Sequence, residues 1–294
     1  MSDFVQQQSV ECRFDSSDSW VILSPIEQSI KRKIESVGTP LKDWDIQINY
    51  GIKTGFNDAF IINTEKRNEI LDNCSSEEER TKTAELIRPI LRGRDIKRYG
   101  YDWANLWLIN THNGIKGVKP RIDINDYPAV KAHLDQYWDK ISKRADKGDT
   151  PYNLRNCAYL DDFFKPKVMW KIIGCNINFS FDNGTMICNN AVDIMTGQRN
   201  QLLQFLGLMN SKLFDWYLKL TTEAEVQGGG IQLYVTTLEK TLVKLDFPLY
   251  LSDVINQRVN GIATDADVDN AIFESYKLTQ EEIDYILTCK QVDR

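Results

Sequence analysis

Gly51-Ile-Lys-Thr-Gly-Phe-Asn-Asp-Ala-Phe-Ile-Ile62 and Ile87-Arg-Pro-Ile-Leu-Arg-Gly-Arg-Asp-Ile-Lys-Arg-Tyr99 decide how this chain is read. The first stretch is a turn between two glycines that carries the Lys53 ammonium and the Thr54 hydroxyl, and it leads into an apolar run, 59–62, expected as a strand. Such turns present backbone N–H groups and short polar side chains to a ligand. The second holds Arg88, Arg92, Arg94, Lys97 and Arg98 against one acid, Asp95, in a chain of formal net charge −6. A basic island in an acidic protein points to an anionic partner. Tyr99, Tyr101, Trp103 and Trp107 follow closely, either as core or as apolar anchors beside the cations of a nucleic-acid surface.

Working outward, 294 residues with 42% hydrophobic and 27% charged side chains suit one large or two small globular domains and exclude a disordered or fibrous chain. The first twenty positions hold no apolar run for a signal peptide, and no later segment approaches the roughly 20 apolar residues of a membrane span. The expected location is cytoplasmic, with no membrane partner. Six scattered cysteines without a C-x-x-C pair, and only His112 and His133 beside them, argue against structural zinc. The acids concentrate after Leu251, where nine face four bases, so the remainder is almost neutral and free to present a basic face.

Ser24-Pro25-Ile26-Glu27 reads as a capping box opening a helix with an Ile26, Ile30, Ile34 stripe, stopped by Gly38. Before it, residues 1–19 are polar and aperiodic, as in a linker. Strand-like runs at 46–50, 59–62, 106–109, 168–173, 178–181 and 191–195 alternate with helical segments, which predicts an α+β fold. The expected domains are 1–40, linker and opening helix; 41–247, a mixed, β-containing recognition domain with peripheral helices; and 248–294, a helical C-terminal segment. A second capping box, Ser76 to Glu79, opens a helix expected to end at Ile87 before Pro89. Val130, Leu134, Tyr137 and Ile141 form one helical stripe, and Leu202, Leu203, Leu206 and Met209 another. Residues 227–232, with three consecutive glycines, read as a flexible loop before a strand-like 233–235.

Lys53-Thr54 lacks the spacing of a Walker A loop, so nucleotide hydrolysis is excluded. Arg92 and Arg94 flank Gly93, and their guanidinium groups suit bidentate contact with phosphate or guanine. Lys116, Lys119 and Arg121 offer phosphate contacts, whereas Lys140, Lys143, Arg144 and Lys147, mixed with acids, suit a solvated charged helix. Gln227 and Gln232 suit adenine readout or a plain connector equally. Asp161-Asp162 invites a metal-nuclease reading, but the Glu-x-Lys that such a core needs is absent, and a loop entering the next strand is the alternative.

Taken in order, Trp44-Asp45-Ile46, the two opening stretches, the Tyr127-Pro128 helix with Arg144, Lys165-Pro166-Lys167-Val168, Leu208-Met209-Asn210-Ser211-Lys212-Leu213 and Val254-Ile255-Asn256-Gln257-Arg258-Val259 span most of the chain. This series resembles the C-terminal target-recognition region of adenine-specific DNA methyltransferases and of type II, IIG-like, restriction-modification enzymes that fuse methylation and cleavage. The resemblance implies sequence-specific binding of double-stranded DNA by a specificity domain linked to a methyltransferase or endonuclease domain. DNA-binding residues expected on this basis are Lys53, Thr54, Asn57, Arg92, Arg94, Lys97, Arg98, Lys119, Arg121, Lys167, Lys212, Gln227 and Gln232. The Asn-Pro-Pro-Tyr motif and the Gly-rich S-adenosylmethionine loop of such enzymes are absent. The chain is therefore expected to hold no catalytic residue and no cofactor of its own, with S-adenosylmethionine and any Mg2+ belonging to a catalytic domain outside it. The competing expectations are an autonomous metal-dependent nuclease at Asp161 and Asp162, and a non-catalytic protein-interaction module that docks through its acidic C-terminal helices.

Overall fold

Val168, Met169 and Trp170 are consecutive, apolar and fully buried, which a strand allows only where both faces of its sheet are covered. The computed structural model, which describes residues 23–174, 177–221, 225–226, 230–244 and 247–288, shows that arrangement. A central antiparallel sheet runs in the order Ile46–Tyr50, Val192–Gly197, Lys167–Lys171, Phe179–Asp182. Side-chain alternation sends Val168, Trp170, Phe179, Phe181 and Met195 into one hydrophobic core, and Met169, Val192 and Ile194 into another.

The first core is largely helical. Pro25–Val37, capped by the Ser24–Glu27 box, buries Ile30 and Ile34 against it. Arg199–Asn210 and Lys212–Thr221 cover the sheet, and Leu249–Val259, Asp265–Ser275 and Gln280–Thr288 close over them. Gly207 makes this closure possible, since a Cβ there would meet Ile255 Cδ1 at 2.3 Å. The helical C-terminal pattern is as expected, and a Thr279–Glu282 cap opens its last helix.

The second core lies between the central sheet and a smaller one ordered Ile61–Asn63, Leu106–Ile109, Ile87–Leu91, Ile187–Cys188, with short helices around it. The fold is α+β.

Several elements differ from the sequence pattern. Ala59 and Phe60 belong to a single helical turn, Asn57–Phe60, and only Ile61–Asn63 is strand. A four-residue apolar run carries no period that separates the two. The Glu77–Leu86 helix ends as expected, but Ile87–Leu91 continues as a strand through Pro89. Proline is tolerated there because the ladder to Ile187–Cys188 begins only at Ile90, so Pro89 has a strand neighbour on one side alone. The Tyr127 stripe is split into Pro128–Asp135 and Trp138–Ile141. Gly230–Gln232 is a strand paired with Ile173–Gly174, and the strand expected at 233–235 does not form, since Val235 opens the helical turn Val235–Leu238. Among the described residues no helix is long and apolar enough to cross a membrane.

Candidate nucleic-acid interface

The turn connecting Ile187–Cys188 to Val192–Gly197 organises one face of the molecule. Asn189 N–H donates to the Leu91 carbonyl at 2.9 Å, and the Asn189 Oδ1 accepts from Ala191 N–H at 3.2 Å. On one side it receives the Gly51 turn: Gly51 N–H donates to the Val192 carbonyl at 2.8 Å and Ile52 N–H to the Cys188 carbonyl at 2.7 Å. Gly51 lies so close that a Cβ would stand 1.9 Å from the Asn189 carbonyl oxygen, so no other residue fits. On the other side sits the Arg92–Asp95 turn, where a Cβ on Gly93 would meet the Ala191 oxygen at 3.2 Å and Lys171 Cβ at 3.5 Å. Ile172 N–H donates to the Ala191 carbonyl, and its own carbonyl accepts from Leu233 N–H at 2.9 Å, which ties in the strand that carries Gln232. Three segments far apart in sequence thus meet around 189–191.

The Gly51–Asn57 turn is held from beneath. The buried Arg144 guanidinium donates to the backbone carbonyls of Thr54, Asp146, Pro151 and Asn153 and lies over the Phe60 ring at 4.4 Å. Burial pulls its pKa down to about 10, so it stays cationic at neutral pH. Gly55, at φ +70°, packs against Asp146 where a Cβ would clash at 2.7 Å. Thr54 is itself buried, and its hydroxyl donates to Asn57 Oδ1 at 2.6 Å. Lys53 and Asn57 project outward and, with Asp146 and Asn190, line an open pocket of about 280 Å3.

The thirteen expected contacts separate by what they already bind. Lys53, Asn57 and Arg94 are exposed, and the side chains of Lys53 and Arg94 make no hydrogen bond or ion pair among the described residues. Gln232 is half-buried in its strand, which is joined to the 189–191 turn through Ile172, and Thr54 shapes the Gly51–Asn57 turn from within. Lys97 is exposed, donates to the Arg94 carbonyl at 3.1 Å and stands 3.7 Å from Asp102. Lys119 and Arg121 form exposed pairs with Asp161 at 3.1 Å and Asp149 at 3.4 Å, beside the loop on which Gly55 packs. Exposed pairs contribute about 0–1 kcal/mol and exchange readily for a phosphate.

Other expected contacts require correction. Lys167 is fully buried, paired with Asp182 and donating to the Phe163 carbonyl at 2.7 Å, so it holds the core together and reaches no ligand. Burial alone would raise the Asp182 carboxyl, but Lys167 and hydrogen bonds from Thr185 and Met186 outweigh it and hold its pKa below the usual carboxylate value. Arg92 is spent on a bidentate pair with Asp95 at 2.9 and 3.0 Å that closes its own turn. Arg98 pairs with Asp265 at 3.0 Å and donates to the Asn210 carbonyl, which fastens the C-terminal helices to the sheet. Lys212 opens a helix in that layer, its N–H donating to Asp269 at 2.9 Å, and the structure does not bring it to the 189–191 face. Gln227 lies outside the described residues. Arg144, expected on a solvated helix, is instead an interior clamp. Lys171 and Asn190, which the sequence did not single out, do line this face; the Asn-Asn pair is a turn signal, but nothing local says what it faces.

Asp161 and Asp162 do not form a paired-carboxylate site. Asp162 is buried and accepts from Asn49 at 3.1 Å and Lys165 at 2.7 Å, whereas Asp161 points outward to Lys119. Among the described residues no group of three or more His, Cys, Asp or Glu is placed to hold a metal ion.

Residues 88–241, more than half of the chain, match the family model of the TaqI-like C-terminal specificity domain. Among solved structures, the fold is similar to part of the type IIL restriction-modification enzyme MmeI in complex with DNA, with TM-score 0.56 and 14% identity over 84% of this chain and 35% of that one. It is also similar to part of the type IIG restriction endonuclease BpuSI, with TM-score 0.59 and 14% identity over 89% of this chain and 31% of that one. The chain thus spans about a third of the length of these enzymes. No curated protein sequence matches it.

Proposed function

The chain belongs to the family of TaqI-like C-terminal specificity domains, and on that premise we propose that it recognises a specific sequence in double-stranded DNA on behalf of a restriction-modification enzyme that methylates adenine. Catalysis, S-adenosylmethionine and any Mg2+ belong in this proposal to domains beyond these 294 residues. The observation that carries it is the meeting of the Gly51–Asn57 turn, the Arg92–Asp95 turn and the Gln232 strand around 189–191, with Lys53 and Arg94 left without side-chain partners among the described residues.

Free cations at the rim supply phosphate contacts, affinity and salt dependence, while amide side chains between them supply sequence choice. Two relatives in fold are restriction enzymes, one of them solved on DNA, which supports the same partner. The C-terminal helices pack their apolar faces on the domain's own core, so those faces are already covered within the chain.

Fluorescence anisotropy with a pool of random duplexes across roughly 50–200 mM salt tests the proposal. Binding that weakens steeply with salt, without cleavage of the duplex, is expected. Absence of binding at the lowest salt contradicts it.

A further inference from the structure

The Lys53 pocket on this face mixes charge signs rather than presenting cations alone. A phosphate group only accepts hydrogen bonds at its charged oxygens and is repelled by a carboxylate, yet the pocket includes Asp146. One Asp146 oxygen pairs with Arg155 at 3.0 Å, and the other makes no hydrogen bond or ion pair among the described residues. The same pocket is lined by two donors, the Lys53 ammonium and the Asn57 amide nitrogen, the Asn57 oxygen being occupied by Thr54. Donors and acceptors side by side match the edge of a base in the major groove.

Asn190 is the side chain best prepared to read that edge. It is exposed, lines the pocket and makes no hydrogen bond among the described residues, so both halves of its amide are available. Its neighbour Asn189 is the opposite case: its side chain caps Ala191, its N–H is bound to Leu91, and its carbonyl accepts from Val192 N–H at 3.0 Å under the close approach of Gly51. One asparagine fixes the turn and the next is held out on it. A side chain presented from a clamped backbone loses little freedom on binding.

We propose that Asn190 is a specificity-determining residue that pairs bidentately with an adenine of the recognised sequence, with Asn57 and Asp146 bounding the same base pair. This inference rests on the proposed DNA recognition and adds the base class and the residue that reads it.

The test selects preferred duplexes from a random pool with the wild-type chain, then compares affinities for the selected duplex and for versions with each base pair replaced in turn. Asn190→Ala is expected to shrink the discrimination at one A·T pair by about 5- to 140-fold while the ratios at distant pairs persist. Asn190→Asp keeps the shape but only accepts hydrogen bonds, so it is expected to move the preference at that pair from adenine toward cytosine, whose N4 amino group donates. A purely structural role for Asn190 produces no such exchange. Discrimination unchanged at every pair in both variants overturns this inference alone. Wild-type chain that binds no duplex, or binds all duplexes equally, overturns the proposed recognition itself and this inference with it.

Discussion

Lys167 and Lys53 are both lysines beside turns that resemble a DNA-reading region, yet they occupy opposite environments. Lys167 is fully buried with Asp182, whereas Lys53 stands exposed without a partner among the described residues. The same division runs through the arginines: Arg144 holds four carbonyls in the interior and Arg92 closes its own turn, while the Arg94 side chain, two residues later, has no partner among the described residues. A basic segment is therefore two populations. One has its charge satisfied within the chain and builds the face; the other is left over for a ligand.

Exchanging the roles of these populations breaks the comparison, and the largest effect belongs to the buried set. Lys167→Ala leaves the Asp182 carboxylate buried without its cation and is expected to destabilise the fold by about 3–5 kcal/mol in urea unfolding. A loss below about 1 kcal/mol would mean that the pair is not the internal anchor described.

Asp193 sharpens the contrast through pH. It is almost completely buried, has one oxygen without a partner among the described residues, and burial alone pushes its carboxyl up to about 7. The unfolded value is about 3.9, so the folded state favours the protonated form. Its stabilising contribution is fully present below about pH 4 and is lost as pH rises to about 7, a change of roughly 4 kcal/mol. Asp193→Asn is expected to remove this slope and raise the melting temperature at pH 8; a variant with the wild-type slope contradicts the assignment.

Arg144→Ala leaves up to four carbonyls unpaired beneath the Gly51–Asn57 turn. It is expected to cost about 2 kcal/mol or more of stability and to weaken DNA binding indirectly, both readable in parallel melts and anisotropy titrations. Among the free set, Arg94→Ala is expected to weaken specific binding by about 1–3 kcal/mol while shifting stability by no more than about 0.5 kcal/mol. Equal losses in both measurements would erase the distinction between the two populations.

Much of the fold was legible. The Ser24 and Ser76 caps, the stripe of Arg199–Asn210 and the strands at 46–50 and 106–109 each carry a strong local period or capping signal. The failures share a cause. Asn57–Phe60, Pro89 and Gly230–Gln232 take their structure from distant partners, namely Arg144 under Phe60, an absent strand neighbour beside Pro89, and Ile173 across from Gln232. The site was legible in its segments but not in its side chains. Segment composition placed the Gly51 and Arg92 turns on one list, and only tertiary contact shows that they meet at 189–191. Whether a cation is free depends on an acid such as Asp182 or Asp265, 15 residues away for Lys167 and on a C-terminal helix for Arg98. No local pattern reports that, and Asn190 went unnoticed for the same reason.

The most direct measurement of the central claim is a lysine-modification footprint of the chain with and without duplex DNA at low salt. Protection of Lys53 and Lys171, with Lys31 and Lys82 on helices outside this face labelled at unchanged rates, is the expected result. Equal labelling of Lys53 and Lys171 in the bound and free states would place the DNA elsewhere and contradict the interface.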